Sequence, residues 1–266
     1  MMTRAASRLF FVLSLTCMML PPSLLAQWTC EHAELQATPN RPSVSSGADT
    51  TQCGVLEMEA GFEHTSAADG SHARDFATGF RYGLNKRVDL FWNFTEYTSS
   101  AANDVRVNGV GDHWLGARAR LIDYGKLRPA VALMYLVKAP TASVSKGLGS
   151  GYVDHQLTLI ASKNFGAVHV DMNAIGLASG GAGAWSKTGV ATCSISGPLY
   201  KNLGWNVETR GGRAGLLHYA SQLTALTYAV NKRFVLDLTL DAGLTHGADH
   251  RRIAAGFTYA LGRIGR

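Results

Sequence analysis

The chain has 266 residues, 17% of them charged, with 29 Gly and an excess of six Lys plus Arg over Asp plus Glu. The basic residues are scattered singly or in pairs rather than gathered on one face, so composition and charge argue against a nucleic-acid partner. No stretch after residue 27 is apolar enough for a membrane helix, which needs about 20 such residues.

The first residues read MMTRAASRLFFVLSLTCMMLPPSLLAQ. Arg4 and Arg8 precede an apolar run from Leu9 to Leu20, Pro21-Pro22 break it, and Ala26 offers a small residue before Gln27. This order is that of a secretory signal peptide. Three parts are expected: a signal peptide over 1–26, a polar segment over 27–53 that hangs in the periplasm or plugs a barrel, and a β-domain over 54–266. An exported chain meets oxidising conditions, so Cys30 and Cys53, which flank the polar segment, are expected to form a disulfide. Cys193 is left as a small apolar residue. No Cys pair has C-x-x-C spacing, and neither a metal nor a cofactor is expected.

From residue 54 onward the recurring pattern is period-two alternation, the strand signal. In VLEMEAGFE, Leu56, Met58, Ala60 and Phe62 oppose Glu57, Glu59 and Glu63. In DHWLGARARL, Leu115, Ala117, Ala119 and Leu121 oppose Asp112, Trp114, Arg118 and Arg120. In VHVDMNA, Val168, Val170 and Met172 oppose His169, Asp171 and Asn173. In FVLDLTLDAGL, Leu236, Leu238 and Leu240 oppose Asp237, Thr239 and Asp241. Segments of this kind are predicted at 54–63, 75–82, 87–97, 110–122, 128–138, 152–163, 167–177, 185–198, 203–210, 218–230, 233–244 and 251–261.

Alternate connections are short: 83–87, 123–127, 164–166, 200–203 and 231–233. Those between them are longer and rich in Gly, Ser and Ala, at 64–74, 98–109, 139–151, 178–184, 210–216 and 245–250. That rhythm marks a transmembrane β-barrel, with short periplasmic turns at one end and longer outer loops at the other. The expected fold is therefore all-β: a closed, up-and-down antiparallel transmembrane barrel of about twelve strands. Closure satisfies every backbone group within the lipid. Twelve tilted strands enclose more space than side chains fill, leaving a polar lumen. Glu57, Glu59, Glu63, Asp112, Arg118, Arg120, His169, Asp171, Asn173, Asp237 and Asp241 are the candidate lining residues. The competing architecture is a soluble exported β-protein with its apolar faces inward.

Several stretches resemble one family: RPSVSSGADTTQCGVLEMEAGFEH (41–64), RYGLNKRVDLFW (81–92), GVGDHWLGARARL (109–121), LMYLVKAPTAS (133–143), GLGSGYVDHQLTLIASKNFGAVHVDMN (147–173) and FVLDLTLDAGLTHGADHRRIAAGFTYALGR (234–263). In this order they are similar to the bacterial outer-membrane proteins of the MetA-pathway phenol-degradation family. The resemblance implies a transporter or porin-like barrel in the outer membrane of a Gram-negative-type bacterium. Its partners would be outer-membrane lipid and small solutes, aromatic or hydrophobic ones among them. It implies no catalytic residues.

Other chemistry is weaker. KGLGSG (146–151) lacks the G-K-[ST] ending of a phosphate loop. His246 and His250 have metal-like spacing but lie in a turn with Gly247. His169, Asp171 and Asn173 share a strand face at about 7 Å intervals, too far for a hydrogen-bonded catalytic set without another strand. Two readings of Glu57, Glu59 and Glu63 stay open: an acidic stripe that faces Arg118 and Arg120 and tunes selectivity, or charged residues that only solvate the lumen and pair with one another. Trp92, Phe94, Trp114, Trp185, Trp205, Phe257 and Tyr259 are girdle candidates, with Trp114 on the polar register where it would narrow the lumen. Asn-Lys-Arg occurs twice on short turns, at 85–87 and 231–233, where Asn is expected to adopt a left-handed backbone. The expected function is passive diffusion of small solutes through a charged lumen, gated by outer loops, 139–151 above all. A non-transporting adhesive barrel and a lipid-acting hydrolase are the alternatives.

Overall fold

The computed structural model describes residues 30, 33–102, 105–215 and 217–264. The expected signal peptide lies outside the described residues. The strands are β1 (Val55–Ser66), β2 (His72–Gly83), β3 (Val88–Ala102), β4 (Val105–Gly109), β5 (His113–Ile122), β6 (Ala130–Ala139), β7 (Asp154–Phe165), β8 (Val168–Gly180), β9 (Trp185–Tyr200), β10 (Leu203–Ala214), β11 (Leu217–Asn231), β12 (Phe234–Gly243) and β13 (Arg251–Arg263).

Apart from β4 and β5, each strand pairs antiparallel with its sequence neighbours, and β1 also pairs with β13, so the sheet closes on itself. β4 and β5 share one place in the wall. β4 pairs with β3 over Thr98–Ala102, and β5 pairs with it over Val88–Asn93. The result is a closed twelve-strand antiparallel barrel.

Apolar faces point outward. Along β12, Leu236, Leu238 and Leu240 are 40–56% exposed, whereas Asp237, Thr239 and Asp241 are at most 7% exposed. A wall with this sign needs lipid outside, because the outward leucines would otherwise face water. β6 departs from it. Ala130, Ala132, Met134 and Leu136 point inward and cluster with Phe91, Ile160 and Ala48. Trp114 and Tyr124 pack against that cluster.

The loop rhythm is compressed at the long-loop end. The stretch expected to loop at 98–109 forms the end of β3 and all of β4, that at 210–216 continues β10, and those at 64–74 and 178–184 shrink to 67–71 and 181–184. Beyond the hydrocarbon neither strand face needs apolar side chains, so the apolar alternation fades although the ladder of hydrogen bonds continues. Segments 140–153 and 244–250 remain loops. The first folds inward: Ala142 is buried and its N–H donates to Asp112 at 2.8 Å.

Candidate functional site: a strapped lumen

Residues 33–53 run around the inside of the barrel near its short-turn end, as an irregular strap that touches the wall in nearly sequential order. The Ala37 N–H donates to the carbonyl of Lys232, in the β11–β12 turn. Thr38 and Asn40 then donate backbone N–H bonds to Glu57 (2.7 Å) and Glu59 (2.6 Å). Val44 and Ser45 donate to one Glu208 oxygen at 3.0 and 2.8 Å. Ser46 donates to Asn173 and Ala48 to Ser162. Thr51 donates to Asp89 at 3.0 Å. Cys53 bridges to Gly83, and a disulfide joins it to Cys30, closing the lap. Gly83 admits this passage because a Cβ there would sit 2.1 Å from the carbonyl oxygen of Gln52.

The arrangement follows from backbone chemistry. An irregular segment cannot satisfy its own N–H groups, and a buried orphan is costly. The inward carboxylates supply acceptors, and hydrogen bonds to charged groups contribute about 1.5–3 kcal/mol each. Non-helical backbone at membrane depth is tolerated where protein surrounds it.

Buried ion pairs complete the stitching. Arg41, on the strap, makes a two-pronged contact to Asp237, both bonds 3.1 Å. Its guanidinium lies over Gly61 and Gly256, where a Cβ would come within 2.6 Å of it. Arg118 is fully buried, grips Asp89 at 2.6 and 3.1 Å, and donates to the strap carbonyl of Gly47. Arg120 pairs with Asp49, which also accepts from the Tyr124 hydroxyl. Burial and the Asp49 carboxylate push the Tyr124 phenol upward.

A stripe of Glu57, Glu59 and Glu63 facing Arg118 and Arg120 does not form. Glu57 and Glu59 pair instead with Arg81 on the adjacent strand, and Glu63 pairs with Arg252. Asp241 is shared by Arg210 and Arg252, and Asp112 shares Lys138 with Asp154. Arg81, Asp89, Glu208, Arg210 and Arg252 were not among the sequence candidates. Inward alternation on β2, β3, β10 and β13 was the signal that could have found them.

His169, Asp171 and Asn173 do not behave alike. Asn173 holds Ser46 of the strap through both its amide atoms. His169 Nε2 lies 3.0 Å from Asp171 Oδ1, closer than strand spacing alone suggests, because both side chains lean together. Ser162 Oγ donates to the same oxygen at 2.5 Å. A hydrolytic triad needs the imidazole between hydroxyl and carboxylate. Here the carboxylate stands in the middle, so His169 cannot take the serine proton.

Two cavities flank the strap. One, of about 430 Å³, is lined by strap residues together with His169, Asp171, Asn206 and Val235. The other, of about 470 Å³, is lined by Glu59, Asp75, Asn93, Asp112, Trp114 and Lys138. Arg41 lines both. Trp92 and Trp185 are exposed, and Phe234 packs with Phe257 and Tyr259 near the short-turn end, at ring separations of 5.6 and 5.8 Å. Trp205 is half-buried.

The fold and its strapped interior define a closed transmembrane β-barrel of the outer-membrane type. Among solved structures it resembles an outer membrane channel from Pseudomonas putida F1, with a TM-score of 0.62 and 13% identity over 84% of this chain and 99% of that one. It also resembles the KdgM porin (TM-score 0.55, 11% identity, 77% of this chain and 99% of that one) and the NanC porin (0.54, 10%, 77% and 100%). No family model matches the chain, and no curated protein does.

Proposed function

We propose that the protein is an outer-membrane channel for small solutes, held shut or nearly shut by the strap. The carrying observation is Arg41: clamped to Asp237, it lines both cavities and stands between them. The short-turn end, where the strap enters, would face the periplasm. Solutes would enter from the long-loop end past the inward-folded 140–153 segment into the cavity beside Trp114. Its volume of about 470 Å³ falls in the usual range for small-molecule sites.

The two sides of the lumen differ. β6 and β7 offer Met134, Leu136 and Ile160 beneath Ala48 of the strap, and the strands around β1 and β12 offer ion pairs. A strap that moved aside would uncover an apolar arc. This supports solutes with an aromatic or hydrophobic part, in keeping with the resemblance to the MetA-pathway family. The names of the similar structures, a channel and two porins, support the channel reading without bearing on the solute.

The test is single-channel conductance of the purified full chain in planar bilayers, with Arg41→Ala alongside. The variant should conduct more and spend longer open than the parent. If neither protein opens a pore or passes solutes into liposomes, the channel reading falls.

A further inference from the structure

The outer face of β1–β4 changes character along the strands. Phe62, Phe76 and Tyr97 lie opposite one another across β1, β2 and β3 and are 40–47% exposed. Their neighbours Glu63, Asp75 and Thr98 face the other way: Glu63 bonds the inward Arg252, and Asp75 and Thr98 line the lumen cavity. The aromatic row is therefore on the lipid side.

Two rows further toward the long-loop end continue on that face. The first carries His64, Arg74, Ser99 and Asn108 in register across four strands. The second carries Arg251, Ser66, His72, Ala101 and Arg106. The His64 and His72 rings stack with centroids 5.8 Å apart. Together with Arg74, Ser99, Ala101 and Arg106 they enclose a cleft of about 250 Å³, and among the described residues no carboxylate lines it. The His64 Nδ1 atom is buried without a hydrogen-bond partner. Among the described residues, Arg74, Arg106 and Arg251 make no ion pair, although every arginine inside the barrel wall near the strap is paired. Cations and open donors directly above an aromatic band form a surface matched to an anionic headgroup whose chains lie on the rings below.

We infer that this cleft binds the phosphate of a phosphorylated outer-leaflet lipid. Arg74 and Arg106 supply the paired N–H donors that phosphate accepts, the histidines add donors between them, and Phe62, Phe76 and Tyr97 support the acyl chains. The inference rests on the reading of the long-loop end as the outside of the cell. It does not require the barrel to conduct.

The test is native mass spectrometry of the full chain released from detergent after incubation with bis-phosphorylated lipid A or with the same lipid stripped of its phosphates. The parent should retain one phosphorylated lipid, with a preference of at least about tenfold, equivalent to about 1.4 kcal/mol. Arg74→Ala/Arg106→Ala should lose that preference, while Arg213→Ala, an exposed arginine on another part of the wall, should keep it. Equal retention of both lipids by the parent overturns the inference and does not depend on any variant folding. Retention by a double variant that still shows heat-dependent gel mobility overturns it too. Displacement of the lipid by millimolar inorganic phosphate would mark a free-anion site and overturn the lipid assignment. Bilayer conductance should be the same in parent and double variant, so this result and the channel test fail separately.

Discussion

Asn85 and Asn231 head the two Asn-Lys-Arg turns and do the same job. The side-chain oxygen of Asn85 accepts the Arg87 N–H at 2.7 Å and the Val88 N–H at 2.8 Å, and that of Asn231 accepts the Arg233 N–H at 2.8 Å. The expectation of a left-handed backbone at these asparagines is corrected: among described non-glycine residues only Lys201 has positive φ. The side chain, not a left-handed backbone, closes each turn. Both tripeptides also anchor the strap. The Lys86 carbonyl accepts from Thr50 and the Lys232 carbonyl from Ala37. Buried pairs set the other residue-scale expectation. Arg118 and Asp89 have no solvent exposure, and removing one partner from such a pair typically costs about 3–5 kcal/mol. Asp89→Ala should accordingly lower the urea midpoint of unfolding in lipid vesicles by an amount of that order. A midpoint within experimental error of the parent would show that Arg118 finds another acceptor.

The strap is an element without secondary structure, and its order comes from the wall. The Cys30–Cys53 bond closes a loop with a sequence separation of 23 residues, and cross-linking a loop of that size stabilises by about 3 kcal/mol in the chain-entropy picture. Cys30→Ser/Cys53→Ser should leave the barrel folded, since the strand pairings do not use the bond. It should loosen the strap, seen as faster protease cleavage within 33–53 and a higher mean conductance. Unchanged cleavage would mean that the wall contacts alone hold the strap. The β3–β4 hairpin carries the matching lesson about legibility. Its Ser, Ala and Asn content reads as a loop, because beyond the hydrocarbon neither face needs apolar side chains, which removes the pattern that marks a strand.

For the whole molecule the decisive property is the sign of the wall. Single cysteines introduced along β12 should separate cleanly. Leu238→Cys and Leu240→Cys should resist a charged, water-soluble thiol reagent in vesicles. Thr239→Cys should react once the strap is loosened by the disulfide double variant. Labelling of the leucine positions together with protection of Thr239 would invert the barrel and restore the soluble alternative.

Alternation, loop rhythm and residue chemistry let the sequence by itself determine the closed antiparallel barrel, its approximate strand positions and the inward register of Asp237, Asp241, Arg118 and Asn173. These are local properties: a strand shows its two faces every second residue. The sequence could not say which acid meets which base. The sequence offered Glu57 and Glu59 partners on β5, yet they pair with Arg81 on β2, because partner choice depends on wall curvature and strand stagger. Nor could it place residues 33–53. That stretch has no period to read, and its path is set by acceptors brought together from Glu57, Glu208, Asn173, Ser162 and Asp89 on five separate strands. Only closure of the barrel puts those groups around one circumference. The strap and the separation of the two cavities at Arg41 are therefore properties of the tertiary structure.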